Sequence, residues 1–260
     1  MTVDPPATTR KAATRTRRRA RRRVTIVGVF GELLITAGAL VFLFLGWQLW
    51  LNDIIVGNQD NHTAASLADS WDSGNISLNH EEPVAPDYGD PVVPAKPSTD
   101  QTFAVIYVPR FGKDWVREIA EGIGVADVLN TGRIGHYPTT QLPGQVGNFA
   151  LAAHRLTHGA PFRDIDQLRI GDKLYVKTKD GYFTYIFRNL EYVSPQGVGV
   201  LDPVPQQSDV DGTTQVLTIM SCNPKWSTAE RIIAYAVFDS WQPISVGPPA
   251  AIASLANAKG

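Results

Sequence analysis

One apolar stretch near the N-terminus constrains the fold of this chain more than any other feature. From residue 24 to residue 51, Glu32 is the only charged residue, and residues 33–51 form the most apolar part. About 20 such residues are enough for a helix to cross a bilayer. Trp47 and Trp50 stand at the far end, where aromatic side chains commonly meet the membrane interface. The pattern predicts a transmembrane helix over residues 24–51.

Charge on either side of this stretch predicts its orientation. Residues 1–23 carry nine Lys and Arg residues against a single acid, Asp4. Alone, such a run could bind nucleic acid, but beside an apolar helix it is typical of a cytoplasmic flank. A cleaved signal peptide is the alternative, although residues 51–55 make a poor cleavage site. We expect a basic cytoplasmic tail (1–23), an uncleaved single-pass anchor in the cell membrane, an extracellular C-terminal domain and no nucleic-acid partner.

The segment that follows is acidic and rich in proline. Between residues 57 and 100 there are eight acids and one base, Lys96, and little hydrophobic periodicity. Prolines recur at positions 83, 86, 91, 94 and 97, and proline disfavours both helix interiors and central strands. The composition predicts an extended extracellular tether over residues 52–100.

Residues 101–246 have the pattern of an all-β domain. Short apolar runs alternate with turn signals, among them Asp180-Gly181, which is typical of a hairpin. Short helices are expected from Asp114, as an N-cap, to Glu121 and over residues 162–168. This arrangement favours a closed or nearly closed β-barrel, followed by a C-terminal tail at residues 247–260. The predicted strands are 103–108, 148–154, 173–178, 182–187, 215–221 and 231–238.

The single cysteine, Cys222, is the leading candidate for chemistry. It cannot form an internal disulfide, and a free thiol outside the cell is prone to oxidation. Cys222 ends an apolar strand just before Pro224, and Arg231 begins the next strand nine residues later. A guanidinium beside a sulfur stabilises a thiolate and the oxyanion formed by its attack on a carbonyl. Among five histidines, His154 at the end of a strand is the best proton-transfer partner, although such a residue is more often structural.

Three motifs in order resemble the sortase family of cysteine transpeptidases. They are GHYP at 135–138, LPGQVGNFALAAHR at 142–155, and LTIMSCNP at 217–224 with Arg231 nine residues after the cysteine. The resemblance extends over residues 103–246 and implies a sortase-type closed barrel of about eight strands. The family pattern before the nucleophile is Thr-Leu-x-Thr-Cys, whereas this chain has Ile219 and Ser221 in place of its Leu and second Thr.

The resemblance also implies the roles of individual residues. Cys222 would be the nucleophile, His154 the proton-transfer residue and Arg231 the oxyanion stabiliser. Four more residues in the matching motifs are expected to bind substrate. They are Ser221, Tyr137, Asn148 and Arg155. No cofactor is implied.

Within the family, the chain looks most like class E, which is typical of actinobacteria. That class implies cleavage of the Thr-Gly bond in a Leu-Ala-x-Thr-Gly or Leu-Pro-x-Thr-Gly sorting signal, through a thioester on the cysteine. The implied partners are secreted proteins that bear the signal and the amine of a lipid II-type peptidoglycan precursor, which accepts them.

Several alternatives stay open at this point. The chain could be an inactive membrane-tethered barrel that binds a partner, or a pilus-polymerising sortase, although Val92 follows Asp90-Pro91 where the pilus-building class has an aromatic residue. The Ser-His-Gly-Cys run of L,D-transpeptidases and the papain-type cysteine motif are absent from the sequence.

Two further features of the sequence bear on the domain after residue 101. No His, Cys or carboxylate cluster has metal-ligand spacing, and the acids at 164, 166 and 172 are weak grounds for calcium. The acidic segment 57–100 could also fold as a lid over the cleft, attracted by Arg155, Arg231 and Lys225.

Overall fold

The computed structural model describes residues 26–48, 52–72 and 88–256. It divides into two compact units, one formed by residues up to Leu45 and one that begins at Gly46. The predicted basic tail at 1–23, both ends of the predicted anchor at 24–51, residues 73–87 of the predicted tether, and residues 257–260 lie outside the described residues.

The first unit contains helix α1 (Ile26–Gly46). Its 21 residues make it about 32 Å long at 1.5 Å per residue, close to the thickness of a bilayer core. By length and composition it could cross a membrane, with a mean hydropathy of 2.3. An apolar helix was therefore correctly predicted in this part of the chain.

The second unit is built around eight strands that close into a barrel. Neighbouring strands follow the order β1-β2-β3-β4-β7-β8-β6-β5, and β5 pairs with β1. The pairs β2–β3 and β4–β7 are parallel and the others are antiparallel. The all-β barrel of about eight strands is confirmed. The strands are β1 (Thr102–Tyr107), β2 (Val116–Glu121), β3 (Ile134–His136), β4 (Gly147–Ala152), β5 (Lys173–Lys177), β6 (Gly181–Val193), β7 (Gln215–Asn223) and β8 (Glu230–Pro243).

Strand alternation separates an inner core from the outer surface of the barrel. On β7, Leu217 and Ile219 belong to the main core, and on β8 Ile232 and Ala234 join them. The residues between them point to the opposite face, because successive side chains of a strand alternate. Met220, for example, packs in a separate apolar cluster on the outer face.

Two predicted helices are replaced by other structures. The segment expected to form a helix from Asp114 forms strand β2, because both of its neighbours in the barrel, β1 and β3, bond to it. A strand paired on both sides satisfies its backbone groups better than an isolated helix of two turns. Residues 162–168 contain only a 3-10 turn, Ile165–Gln167. Strand β3 was not predicted, and β6 and β8 extend beyond the predicted strands.

The prediction of an extended tether is wrong for residues 52–72. Asn52–Asp72 forms helix α2, which packs against the outer face of β1 and β2. Small buried residues at positions 57, 64 and 68 let the helix approach closely, and Ala64 and Ala68 share a cluster with Tyr107 and Val116. The prolines that argued against helix lie beyond residue 72, so they do not interrupt it.

The C-terminal segment also belongs to this packing. After β8, a 3-10 turn (Ala250–Ile252) leads into the short helix α3 (Ala253–Ala256). Ile252 is fully buried in the cluster that contains Ala64 and Ala68 from the C-terminal half of α2. Residues 250–256 of the predicted tail are therefore part of the folded domain.

One carboxylate on α2 is buried unfavourably. Asp60 lies near Arg117 of β2, and within the described residues its Oδ2 atom is buried without a hydrogen-bond partner. Burial raises the pKa of Asp60 to about 6, although the charge of Arg117 opposes the shift. A carboxyl whose pKa is raised by folding binds its proton more tightly in the folded chain. Ionisation therefore lowers stability, progressively from about pH 4 to pH 6, and the loss is complete above that range.

Asp60→Asn is expected to stabilise the domain at neutral pH only. The amide cannot ionise, so the variant should melt at a higher temperature than the wild type at pH 7.5 and at nearly the same temperature at pH 4.5. A gain of about 1 kcal/mol corresponds to about 2–4 °C in a domain of this size. Thermal denaturation followed by circular dichroism measures both. A lower melting temperature for the variant at pH 7.5 would contradict the expectation.

Candidate active site

Cys222 and Arg231 form a cross-strand pair at one end of the barrel. Cys222 is the second-to-last residue of β7. It lies directly opposite Arg231 in the antiparallel pairing with β8. Residues opposite each other share a face of the sheet, with Cβ atoms about 4.5–5.5 Å apart. The nine-residue spacing in the sequence therefore becomes direct juxtaposition. Nη1 of Arg231 donates to the carbonyls of Thr228 and Glu230, at 3.0 and 2.9 Å.

His154 reaches the same end of the barrel along β4. Strand β4 runs parallel to β7, with Ala152 opposite Met220. Continuing that register by two residues brings His154 level with Cys222. The strand ends at Ala152, so His154 stands on the loop just beyond it and not within the strand as predicted. Parallel pairing is what lets two strand ends meet at one edge.

Hydrogen bonding assigns the tautomer of His154. Its Nε2 atom lies 2.9 Å from Oδ1 of Asn130, and an amide oxygen can only accept, so Nε2 carries a hydrogen. Nδ1 is then the nitrogen that gains and loses a proton. Burial lowers the pKa of His154 below its usual value near 6.5, and the neighbouring His158 lowers it further. At neutral pH the imidazole is therefore mainly neutral.

An open cleft of about 520 Å³ is lined by both Cys222 and His154. Neither the described part of the acidic segment, residues 57–72 and 88–100, nor Arg231 lines it. Two of its walls come from the loop after His154 and the loop between β7 and β8, where Trp226 is 71% exposed. The lining residues are His154, Arg155, Leu156, Thr157, Cys222, Pro224, Trp226, Ser227 and Thr228.

Arg155 holds the backbone of Cys222. Its side chain is almost fully buried, and Nη1 donates to the Cys222 carbonyl at 3.3 Å and to Oδ1 of Asn223 at 2.5 Å. Nη2 lies 3.0 Å from a carboxylate oxygen of Asp166. These contacts hold the end of β7 and occupy much of the guanidinium that was expected to bind substrate.

Ser221 faces away from the cleft. Its hydroxyl is buried and donates to the Ala153 carbonyl at 2.7 Å, one residue before His154. Because successive side chains on a strand alternate, Ser221 and Cys222 point to opposite faces of β7. The hydroxyl therefore ties the loop that bears His154 to the strand that bears Cys222, which differs from the substrate contact we expected.

The other two expected substrate residues, Asn148 and Tyr137, bond to groups other than Cys222. Asn148 is buried and donates through Nδ2 to the carbonyls of Val200 and Asp202, at 2.9 and 3.0 Å, so it holds the loop between β6 and β7. The Tyr137 hydroxyl donates to Sδ of Met220 at 3.3 Å, on the same face of the barrel as Cys222.

An apolar cluster on this outer face leads up to the reacting end. Met220 is two residues before Cys222, and Ile233 is two residues after Arg231, so both share their face. Val200 packs on them from the loop between β6 and β7, and Tyr137 and Tyr235 lie at the margin.

Comparison with known proteins places the chain in a family. Residues 106–239 match the Sortase domain family. Over 249 residues the chain is 37% identical to Sortase SrtE1 of Streptomyces coelicolor, and the match covers 92% of this chain and 66% of that protein. The chain belongs to the sortase family. This confirms the resemblance inferred from the three motifs.

Solved sortases share the architecture of the barrel. The SrtA sortase from Actinomyces oris matches with a TM-score of 0.60 and 34% identity, over 63% of this chain and 94% of that one. Sortase E1 from Streptomyces coelicolor, solved with a tripeptide in its active site, matches with a TM-score of 0.55 and 40% identity. That match covers 59% of this chain and 97% of the other. The family consists of cysteine transpeptidases, so the cleft with Cys222 is the candidate active site.

Sequence reasoning missed three residues around the site of this sortase. Asn130 binds His154, His158 packs its ring 5.1 Å from that of His154, and Asp166 pairs with Arg155. The first comes from a loop 24 residues upstream and no local pattern marks it. Asp166 had been considered only as a weak calcium ligand. Among the described residues, no group of three or more His, Cys, Asp or Glu residues is arranged to hold a metal.

Ser221→Ala separates a positioning role from substrate contact. Removal of the hydroxyl leaves the buried Ala153 carbonyl without this donor, so we expect a loss of about 1–3 kcal/mol in the free energy of unfolding. KM for a sorting-signal peptide should stay unchanged. Denaturant unfolding and steady-state kinetics measure the two effects, with Ser208→Ala at an exposed loop position as the control. A raised KM with unchanged stability would restore the substrate-contact interpretation.

Proposed function

We propose that this chain is a transpeptidase that cleaves the Thr-Gly bond of a Leu-Ala-x-Thr-Gly or Leu-Pro-x-Thr-Gly sorting signal and transfers the protein to an amine of a peptidoglycan precursor. The observation that carries the proposal is the cross-strand pairing of Cys222 with Arg231, together with the cleft that both Cys222 and His154 line. A sulfur nucleophile, a proton-transfer group and a cation then surround one reacting carbonyl.

In the first half of the reaction, the Cys222 thiolate attacks the threonine carbonyl carbon. The carbonyl oxygen becomes an oxyanion, which Arg231 stabilises once its guanidinium turns from the loop carbonyls towards the sulfur. Loss of such a donor costs on the order of 10²–10³-fold in rate. When the C–N bond breaks, the protonated Nδ1 of His154 supplies the proton that the departing glycine amine takes, and a thioester remains on Cys222.

In the second half, the same histidine acts as a base. Neutral Nδ1 takes a proton from the incoming amine as that amine attacks the thioester carbonyl, and the thiolate leaves. The peptide bond formed replaces the one broken, so the reaction needs no external oxidant, reductant or cofactor. Since burial lowers the pKa of His154, its protonated form is a minority at neutral pH, and only that minority supports the first step.

The apolar cluster beside Cys222 suits the N-terminal half of such a signal. Met220 and Ile233 are themselves buried, and the half-buried Tyr137, Ala152 and Leu201 packed against them form an uncharged outer layer, on which a leucine and a small alanine or proline side chain could pack. Tyr137 stands at its margin, and we propose that it contacts the residue after the leucine. Asn148 contributes indirectly, because it holds the loop whose Val200 is buried in this cluster.

Mass spectrometry tests the chemistry directly. Mixed with Leu-Ala-x-Thr-Gly and Leu-Pro-x-Thr-Gly peptides, the full chain should form an adduct on Cys222 and release the glycine-side product, and Cys222→Ala should do neither. His154→Ala and Arg231→Ala should each slow adduct formation by about 10²-fold or more. A folded wild-type protein that yields neither adduct nor product with either peptide would favour the inactive binding module.

We further propose that α1 is a single-pass membrane anchor, with residues 1–23 in the cytoplasm and the barrel outside. The nine basic residues before α1 support this orientation through the positive-inside rule. Because the chain has one cysteine, its location can be read from one label. A membrane-impermeant maleimide should label Cys222 on intact, wall-stripped cells, with Cys222→Ala as the unlabelled control. Labelling that requires lysis would reverse the orientation.

A further inference from the structure

Two loops contact the imidazole of His154. The first contains Asn130, whose Oδ1 accepts from Nε2 of His154 at 2.9 Å. The second is the loop that follows His154 and contains His158. The centroids of the two imidazole rings are 5.1 Å apart, and the ring planes are inclined at 31°. The orientation of the proton-transfer group therefore depends on where these two loops lie.

A glycine in each of the two loops packs closely against the carboxylate of Asp60 on helix α2. Gly132 is two residues after Asn130, and Gly159 is one residue after His158. A β-carbon at either glycine would overlap the Asp60 carboxylate, because Oδ2 occupies the space where a side chain would begin. Both glycines also have positive φ angles, 85° and 76°, a conformation that side chains other than glycine rarely adopt.

Further polar contacts fasten the second loop to the same helix. Oδ2 of Asp53 lies 2.7 Å from Nη2 of Arg163, and the Asp53 side chain is almost fully buried. Nη2 of Arg117, on β2, donates to the Gly159 carbonyl at 3.5 Å, and Arg117 also donates to the Asn61 side chain of α2. The loop after His154 is therefore held at Gly159 and at Arg163.

We propose that α2 is part of the catalytic domain and positions His154 by holding both loops that contact its imidazole, with Asn130 as the positioning residue that links helix to histidine. The inference rests on the proposed role of His154. It assigns a function in catalysis to a segment that the sequence describes only as a tether.

The chemistry of the two half-reactions makes this support important. His154 must present Nδ1 to the departing amine and then to the incoming amine, so the ring has to stay in one orientation while its charge changes. The Nε2–H···Oδ1 bond persists in both states, because the imidazolium and this neutral tautomer both donate from Nε2. Misplacement of such a group by about 1 Å can cost about 10²-fold in rate.

The position of α2 separates its effect from substrate binding. The helix packs on β1 and β2, whereas the apolar cluster beside Cys222 is formed by β7, β8 and the loop between β6 and β7. Displacement of α2 should therefore lower kcat and leave KM for the peptide nearly unchanged.

Asn130 provides the first test, through the pH dependence of peptide cleavage. The titratable and charged groups near the imidazole are His158 on its own loop, Cys222 and Arg155 at the cleft, and Asp53, whose pKa the charge of His158 lowers. Asn130→Ala removes an acceptor that strengthens when the ring is charged, so the limb of the profile that reports His154 should move to lower pH. Asn130→Asp places a carboxylate there and should move the same limb to higher pH. Loss of folded protein alone would scale the profile without moving it.

A matched pair of tryptophan variants provides the second test. Ala64 is fully buried between α2 and the barrel, whereas Ser66, two residues on, is exposed. Ala64→Trp should lift the helix and lower kcat by about 10- to 100-fold at unchanged KM. Ser66→Trp carries the same side chain on the solvent face and should match the wild type. Circular dichroism and thermal melting of each variant report whether the barrel stays folded.

The outcomes distinguish this inference from the proposed function. A wild-type chain that forms adduct and product, with opposite shifts for the two Asn130 variants and a loss of kcat for Ala64→Trp alone, would support the inference. An active wild type with unshifted Asn130 profiles, or with full activity in a folded Ala64→Trp variant, would overturn the inference and leave the proposed function standing. A wild type without activity would overturn both.

Discussion

The parallel pairing of β4 with β7 is the constraint on which the site depends. In an antiparallel pair the two strands would end at opposite edges of the barrel, and His154 and Cys222 would be separated by the length of a strand. In this barrel the two strands are parallel, and six consecutive residue pairs, from Gly147 with Gln215 to Ala152 with Met220, fix the register of β4 against β7. A slip of one residue would turn Cys222 into the core and Ser221 onto the outer face. The apolar inner residues Leu217 and Ile219 oppose such a slip, so core packing also sets the position of Cys222.

Those parts of the fold and site that follow from local patterns could be predicted. Cys222 and Arg231 lie on consecutive strands, so their spacing along the chain was enough to place them together. Alternation on the same strand also implies that Ser221 faces away from Cys222, which the motif resemblance alone does not reveal. The apolar helix near the N-terminus was evident because its signal is composition over 20 residues, which depends on no partner.

Other elements depend on partners distant in the sequence and could not be predicted. The sequence of helix α2 shows only a few small residues on one face. They indicate a packed helix only once the outer face of β1 and β2, against which they pack, is known. Strand β2 has a helix-capping signal at Asp114, yet two neighbouring strands outweigh it. Asn130 has no distinguishing local context, and it reaches His154 only because β3 and β4 bring their flanking loops together.

Closure of the barrel has a further consequence for how an extended peptide can be recognised. A strand at the edge of an open sheet can bind a peptide as one more strand, through a ladder of backbone hydrogen bonds that is largely blind to sequence. Here β5 pairs with β1, so within the described residues none of the eight strands leaves a full-length open edge. A peptide bound to this barrel must instead be selected by side chains on its outer face and by loops at its end. Selectivity is therefore built into the architecture, because no sequence-independent backbone ladder is available to compete with it.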